Sequence, residues 1–275
     1  MSRPAIPQAV IDELRSEVNF GCPIPNCGNP YLEWHHFDPP YRISSGHDPK
    51  SMIAICSHHH PMADVGTWTV EQLRSYKSNP NSRDWIEATF GWRREKLVFY
   101  LGGIFYYDTP TIIQINNTSV IYISRDSDNN LLINVKGKNI KIQNSAWAIS
   151  TKSLSVDCTP GGKFLSAEHE NGERFSIRFH DVSSHSEVER ILPAWKRDYD
   201  VGFPFLLVES TYETPGKLFS FGQSNNSKIT KIGSMVMTGG FFGPSEVAIY
   251  ASFKNRIIII NQGVWKNKTM FLQYE

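Results

Sequence analysis

SMIAICSHHHPMAD (residues 51–64) places Cys56, His58, His59, His60 and Asp64 within nine positions. Thiolate, imidazole and carboxylate are the side chains that bind divalent ions, so the reading of this stretch decides what kind of domain surrounds it. Six of the nine histidines in the 275-residue chain fall between His35 and His60, and Cys22 and Cys27 lie a short way upstream. These two cysteines sit in GCPIPNCGNP (21–30), whose Pro, Asn and Gly favour a tight turn over a core strand. Cys56 and His59 form a Cys-x2-His pair about thirty residues later. Together the four make a Cys3His set for one tetrahedral Zn2+. Such a set has no open position and is expected to be structural, replacing part of the core that a small domain lacks.

That leaves His35, His36, His58, His60 and Asp64. EWHHF (33–37) reads as a short strand, in which adjacent side chains point to opposite sides. HPMAD (60–64) reads as a helical turn, with His60 and Asp64 on one face. His35, His60 and Asp64 are expected to form a mixed nitrogen–oxygen set with positions open for water and phosphate. Such a set accepts Mg2+ or Mn2+, and also Ni2+ or Zn2+. His36, not needed as a ligand, is the expected general base, and His58 is read as a solvent-facing or phosphate-contacting residue.

The segments LEWHHFDPPY (32–41) and SMIAICSHHHPMADVGTWTVEQLRSYKSNP (51–80) resemble the HNH endonuclease family, whose core is a ββα-metal finger. The resemblance covers roughly residues 18–80. It implies His35 as the first ligand of a catalytic divalent ion, His36 as general base, His60 as the helix ligand and Asp64 as a further ligand. Cys22, Cys27, Cys56 and His59 are similar to the structural zinc set of many members. The implied activity is hydrolysis of DNA, double-stranded, to 5′-phosphate and 3′-hydroxyl ends, in a setting such as host defence or restriction. One position departs from the pattern. Ser51 stands where members carry an Asn that tethers the loop and orients the base; its hydroxyl can make one such hydrogen bond but not two. His47 and Asp48 are the nearby candidates to take its place.

Residues 1–94 are thus expected to form the nuclease domain and 95–275 a larger, mostly antiparallel β domain, an α+β chain overall. Helices are predicted over 6–19, over 69–77, where Thr69 and Gln72 suit a capping box, and over 81–94. Past residue 95, runs such as TIIQI (111–115), SVIYIS (119–124), LLINV (131–135) and SEVAIY (245–250) read as strands separated by turn residues. No phosphate-cradling Gly loop appears there, so recognition, sensing or oligomerisation, with a homo-oligomer or protein partner, is the expected role. Residues 1–90 carry seven Lys/Arg against ten Asp/Glu, and residues 91–275 carry 21 against 17. Neither half has the basic excess of a domain that grips nucleic acid by charge alone. With no secretory signal, no membrane-spanning run and cysteines placed for metal, a reducing cytoplasm is expected. The competing reading is a non-catalytic, zinc-stabilised module that binds nucleic acid or protein.

Overall fold

The fold was analysed in a computed structural model, which describes residues 4–44, 46–81, 83–159, 161–197, 199, 201–215, 219–224, 227–232, 235–237, 240–252, 257–261 and 269–273. It is a mixed α and β chain with few helices and mostly β sheet. The chain divides into two compact units, Met1–Thr89 with Ala148–His169, and Phe90–Trp147 with Glu170–Glu275. Residues 148–169, assigned by their texture to the second domain, therefore pack with the first.

In the first unit, helix α1 (Gln8–Glu17) turns Leu14 inward, and Val18 follows it into the same core. Strand β1 (Leu32–His36) pairs antiparallel with β2 (Met52–Cys56), in a register that sets His35 opposite Ile53 and His36 opposite Met52. Between them lie a helical turn, α2 (Tyr41–Ser44), and a 3-10 turn over Pro49–Ser51. MIAIC is buried along its whole length, as an apolar run covered on both faces should be. A five-residue helix α3 (His60–Asp64) follows directly. Helix α4 (Val70–Ser78) starts on the predicted capping box, Gln72 N donating to Thr69 Oγ1 (3.2 Å) and Thr69 N to Gln72 Oε1 (2.9 Å). At its other end Lys77 donates to the carbonyls of Pro49 and Met52 and pairs with Glu17 at 3.0 Å. One largely buried ammonium thus ties α1, α4 and the entrance to β2.

The helix predicted over 81–94 does not form. Trp85–Thr89 is strand β3, with Ile86 inward and Glu87 exposed, and Ser82 lies outside the described residues. Trp, Ile and Thr lose side-chain freedom in a helix and suit an extended chain. The start of β3 is tied to Thr151, whose N–H donates to the Asp84 carbonyl (3.0 Å) and whose hydroxyl donates to that of Arg83 (2.6 Å).

The second unit is built from β sheet. Thr111–Ile115, Thr118–Arg125, Leu131–Lys136 and Ile140–Gln143 form a sequential antiparallel meander. Arg174–Val182 runs antiparallel to Phe205–Glu213 over nine residue pairs. Among the described residues, parallel pairs enter where Leu97–Leu101 meets Phe205–Glu213, Ile104–Tyr107 meets Gly240–Phe242, and Thr111–Ile115 meets Val247–Ser252. A helix, His185–Ile191, packs Val188 onto an aromatic cluster that includes Phe105, Trp195, Phe205 and Phe241.

Glu173 is fully buried in this unit, yet its charge is satisfied. The backbone N–H groups of Lys138 (3.1 Å) and Asn139 (2.9 Å) and the Asn139 amide (3.0 Å) all donate to it. Glu173→Ala leaves those part-buried donors without their acceptor and is expected to cost roughly 1–3 kcal/mol in urea denaturation, with Glu173→Gln costing less.

Candidate metal centre

The first knuckle is shaped by its backbone. Cys22 N donates to the Asn29 carbonyl (2.9 Å), Gly28 N to that of Cys22 (3.0 Å) and Cys27 N to that of Ile24 (3.0 Å). Gly28 adopts φ +68° with the Arg83 guanidinium where a Cβ would stand, so any side chain there would be strained and would displace Arg83. The second knuckle is the end of β2, where His59 N donates to the Cys56 carbonyl (2.9 Å) and the chain enters α3.

These turns bring Cys22, Cys27, Cys56 and His59 together, every ligand atom within 4.8 Å of the others. Cys22 Sγ and Cys56 Sγ stand 3.4 and 3.3 Å from His59 Nδ1, and Cys27 Sγ is 3.7 Å from Cys56 Sγ. With Zn–S of about 2.3 Å and Zn–N of about 2.0 Å, tetrahedral ligand atoms lie about 3.5–3.8 Å apart. The four residues therefore fit such an ion in both donor type and spacing. Burial pushes the Cys22 and Cys27 thiols above their ordinary range, and burial followed by the neighbouring His58 lowers the His59 imidazolium. A buried thiolate is thus disfavoured unless a cation joins it, while His59 stands ready as a neutral donor.

His35, His60 and Asp64 form a second group, again within 4.8 Å of one another, and Asp64 leaves it open to solvent. Strand alternation works as expected. Glu33 and His35 share the side of β1 that meets α3, where Asp64 Oδ1 lies 3.1 Å from His35 Nδ1 and Glu33 Oε2 lies 2.8 Å from His60 Nδ1. His35 is buried, and desolvation, then His60, lowers its pKa, with Asp64 opposing, so it is held as a neutral donor. Glu33 was not anticipated from the sequence. By accepting from His60 Nδ1–H it would leave Nε2 for an ion, the usual way a carboxylate orients a ligating histidine. The signal was present: a carboxylate two residues before His35 must share its side of the strand.

His36 points the other way. Its ring meets Tyr41 (centroids 5.1 Å apart) and His47 (5.3 Å), and it is 8% exposed. Its Nε2 lies 3.1 Å from the Gly46 carbonyl, which can only accept, so Nε2 carries the proton and Nδ1 the lone pair. His47 Nε2 likewise donates to the Pro4 carbonyl (3.1 Å), leaving its Nδ1 as a second acceptor 3.2 Å from His36 Nε2. Ser51 is buried, and its hydroxyl donates to the Asp48 carbonyl (2.8 Å), closing the loop. Of His47 and Asp48, the two candidates to replace the missing Asn, His47 is the one whose side chain meets the His36 ring. His58 is exposed beside His59 and belongs to neither ligand group. Lys77 is committed internally and Arg74 pairs with Asp38, whereas Arg42 is exposed on α2.

No family model, curated protein or solved structure matches this chain. Among the described residues no helix is long and apolar enough to cross a membrane.

Zinc uptake by the metal-free protein should release protons, because the thiols are held protonated, and affinity should rise between about pH 6 and about pH 8. Isothermal titration in buffers of different ionisation enthalpy measures both; Cys56→Ser should remove tight binding and lower the melting temperature.

Proposed function

We propose that the first unit is a metal-dependent endonuclease of the HNH type that hydrolyses phosphodiester bonds in nucleic acid, with DNA as the substrate the resemblance implies. The observation that carries this reading is the gathering of His35, His60 and Asp64 into one open group, from a strand and a helix separated in sequence by a loop and by strand β2. In this reading Cys22, Cys27, Cys56 and His59 hold a structural zinc. A divalent ion on the His35, His60 and Asp64 group, Mg2+ or Mn2+ by its donors, would offset negative charge growing on the phosphate and the leaving oxygen.

The rest falls to the chain's own side chains. His36 takes a proton from the attacking water through Nδ1, the lone-pair position set by the Gly46 carbonyl. As the ring becomes cationic, its Nε2–H keeps two acceptors, the Gly46 carbonyl and His47 Nδ1, which favour that charge. Glu33 holds His60 in one tautomer and orientation. The exposed Arg42 is placed to meet the backbone of the substrate, a contact that positions without reading sequence. The β-rich second unit supplies recognition, sensing or self-association. Free thiols without disulfides suit a reducing compartment such as the cytoplasm.

In plasmid nicking with Mg2+ or Mn2+, His36→Ala should lower the rate by about 10²–10⁴-fold. Glu33→Gln should weaken the apparent affinity for the added metal about tenfold or more while the structural zinc stays bound. Wild type and His36→Ala behaving alike with every metal and substrate would leave the zinc-stabilised binding module as the better description.

A further inference from the structure

A cleft of about 570 Å3 adjoins the second ligand group, and His60 and Glu33 belong to its lining. Elsewhere its walls are mainly apolar, from Ile6, Ile11, Leu32 and Trp34. The Arg15 guanidinium lies 5.2 Å from the centre of the Trp34 indole, and is itself anchored by Asp157 (2.9 Å) and the Cys158 carbonyl (2.7 Å). With Arg15 only 4% exposed, this is a stiff, π-faced wall rather than a mobile surface arginine.

Charge decides what the cleft accepts. Among the described residues that line it, the one Lys or Arg, Arg15, is already paired with Asp157, while the carboxylates of Asp157 and Glu33 remain 39% and 36% exposed. These groups repel a phosphate and can only accept hydrogen bonds. The fitting occupant is uncharged and flat, with an apolar face and N–H donors on its edge, which is the chemistry of a nucleobase carrying an exocyclic amine. A base stacked and paired in a duplex has both its face and its donors occupied, and enters such a cleft only after leaving the helix.

We propose that this cleft receives an unpaired nucleobase next to the phosphate bound at His35, His60 and Asp64. The substrate class becomes single-stranded or locally opened nucleic acid, in place of the intact duplex that the resemblance implies. This inference rests on the phosphodiesterase reading above, but it can be tested apart from it.

Ala5 is exposed on the lining of the cleft, so Ala5→Trp fills the space without disturbing the core. The full chain is assayed for hydrolysis of bis(para-nitrophenyl) phosphate, a diester without a base, and for cleavage of one oligonucleotide as single strand and as duplex. Binding of a single strand containing 2-aminopurine is followed by fluorescence in the His36→Ala background. Wild type should prefer the single strand; Ala5→Trp should weaken single-strand cleavage and 2-aminopurine binding by about tenfold while base-free hydrolysis is unchanged. Trp34→Leu should abolish stacking quenching of the 2-aminopurine. Binding that ignores Ala5→Trp, or a duplex bound as well as the single strand, overturns the inference. Cleft-dependent 2-aminopurine binding without hydrolysis of any diester would uphold the base site and overturn the hydrolase reading instead.

Discussion

Three thiols and one imidazole gathered within 4.8 Å of one another, a set that could hold one metal ion, are the constraint on which this account of the first unit depends. Cys22 and Cys27 come from the loop after α1, Cys56 ends β2, and His59 opens α3, so one ion would join three segments that also share an apolar core. Without it, burial disfavours the thiolates and nothing else replaces their mutual attraction to a cation. With it, the last residue of β2 and the first turn of α3 are set to within a bond length. The β1–β2 register then carries that precision to His35 and His36.

The strand sets the two neighbouring histidines in different surroundings by alternation. Two carboxylates meet two histidines on one side, Glu33 with His60 and Asp64 with His35, while His36 turns to the other side and engages the loop carbonyl and His47. Neighbouring imidazoles thus acquire different surroundings from one geometric rule. His35 and His60 are kept as donors, and His36 has its proton assigned to Nε2. Beside them the Trp34–Arg15 wall is stiff for a related reason, since the cation that backs the indole is neutralised by Asp157.

What the sequence made legible is local. The Cys and His spacings, the paired histidines on a strand, the Thr69–Gln72 cap and the β-branched runs each depend on residues a few positions apart, and each reappears in the fold. What stayed hidden is long-range or ambiguous. Trp85, Ile86, Thr89 and Phe90 satisfy a helical stripe as well as a strand, and the contacts of Arg83 and Asp84 with Thr151 decide for the strand. Residues 148–169 look like any other β hairpin until Arg15 is seen to bind Asp157 and the Cys158 carbonyl. Ser51 departs from the family pattern, and of the two nearby candidates to replace the Asn, His47 meets the His36 ring while Asp48 instead caps the turn before β2, a choice the sequence leaves open.

The division between a sulfur-bound ion and an exposed nitrogen–oxygen site is tested most directly by titrating the metal-free protein with Co2+ and recording its absorption spectrum. The account predicts that the first equivalent produces intense thiolate-to-cobalt charge transfer and tetrahedral d–d bands. A second, weaker equivalent should then add only the faint bands of a thiolate-free site, and these alone should be lost in His60→Ala. A single equivalent without a thiolate signature, or a first-equivalent spectrum that His60→Ala changes, would contradict it.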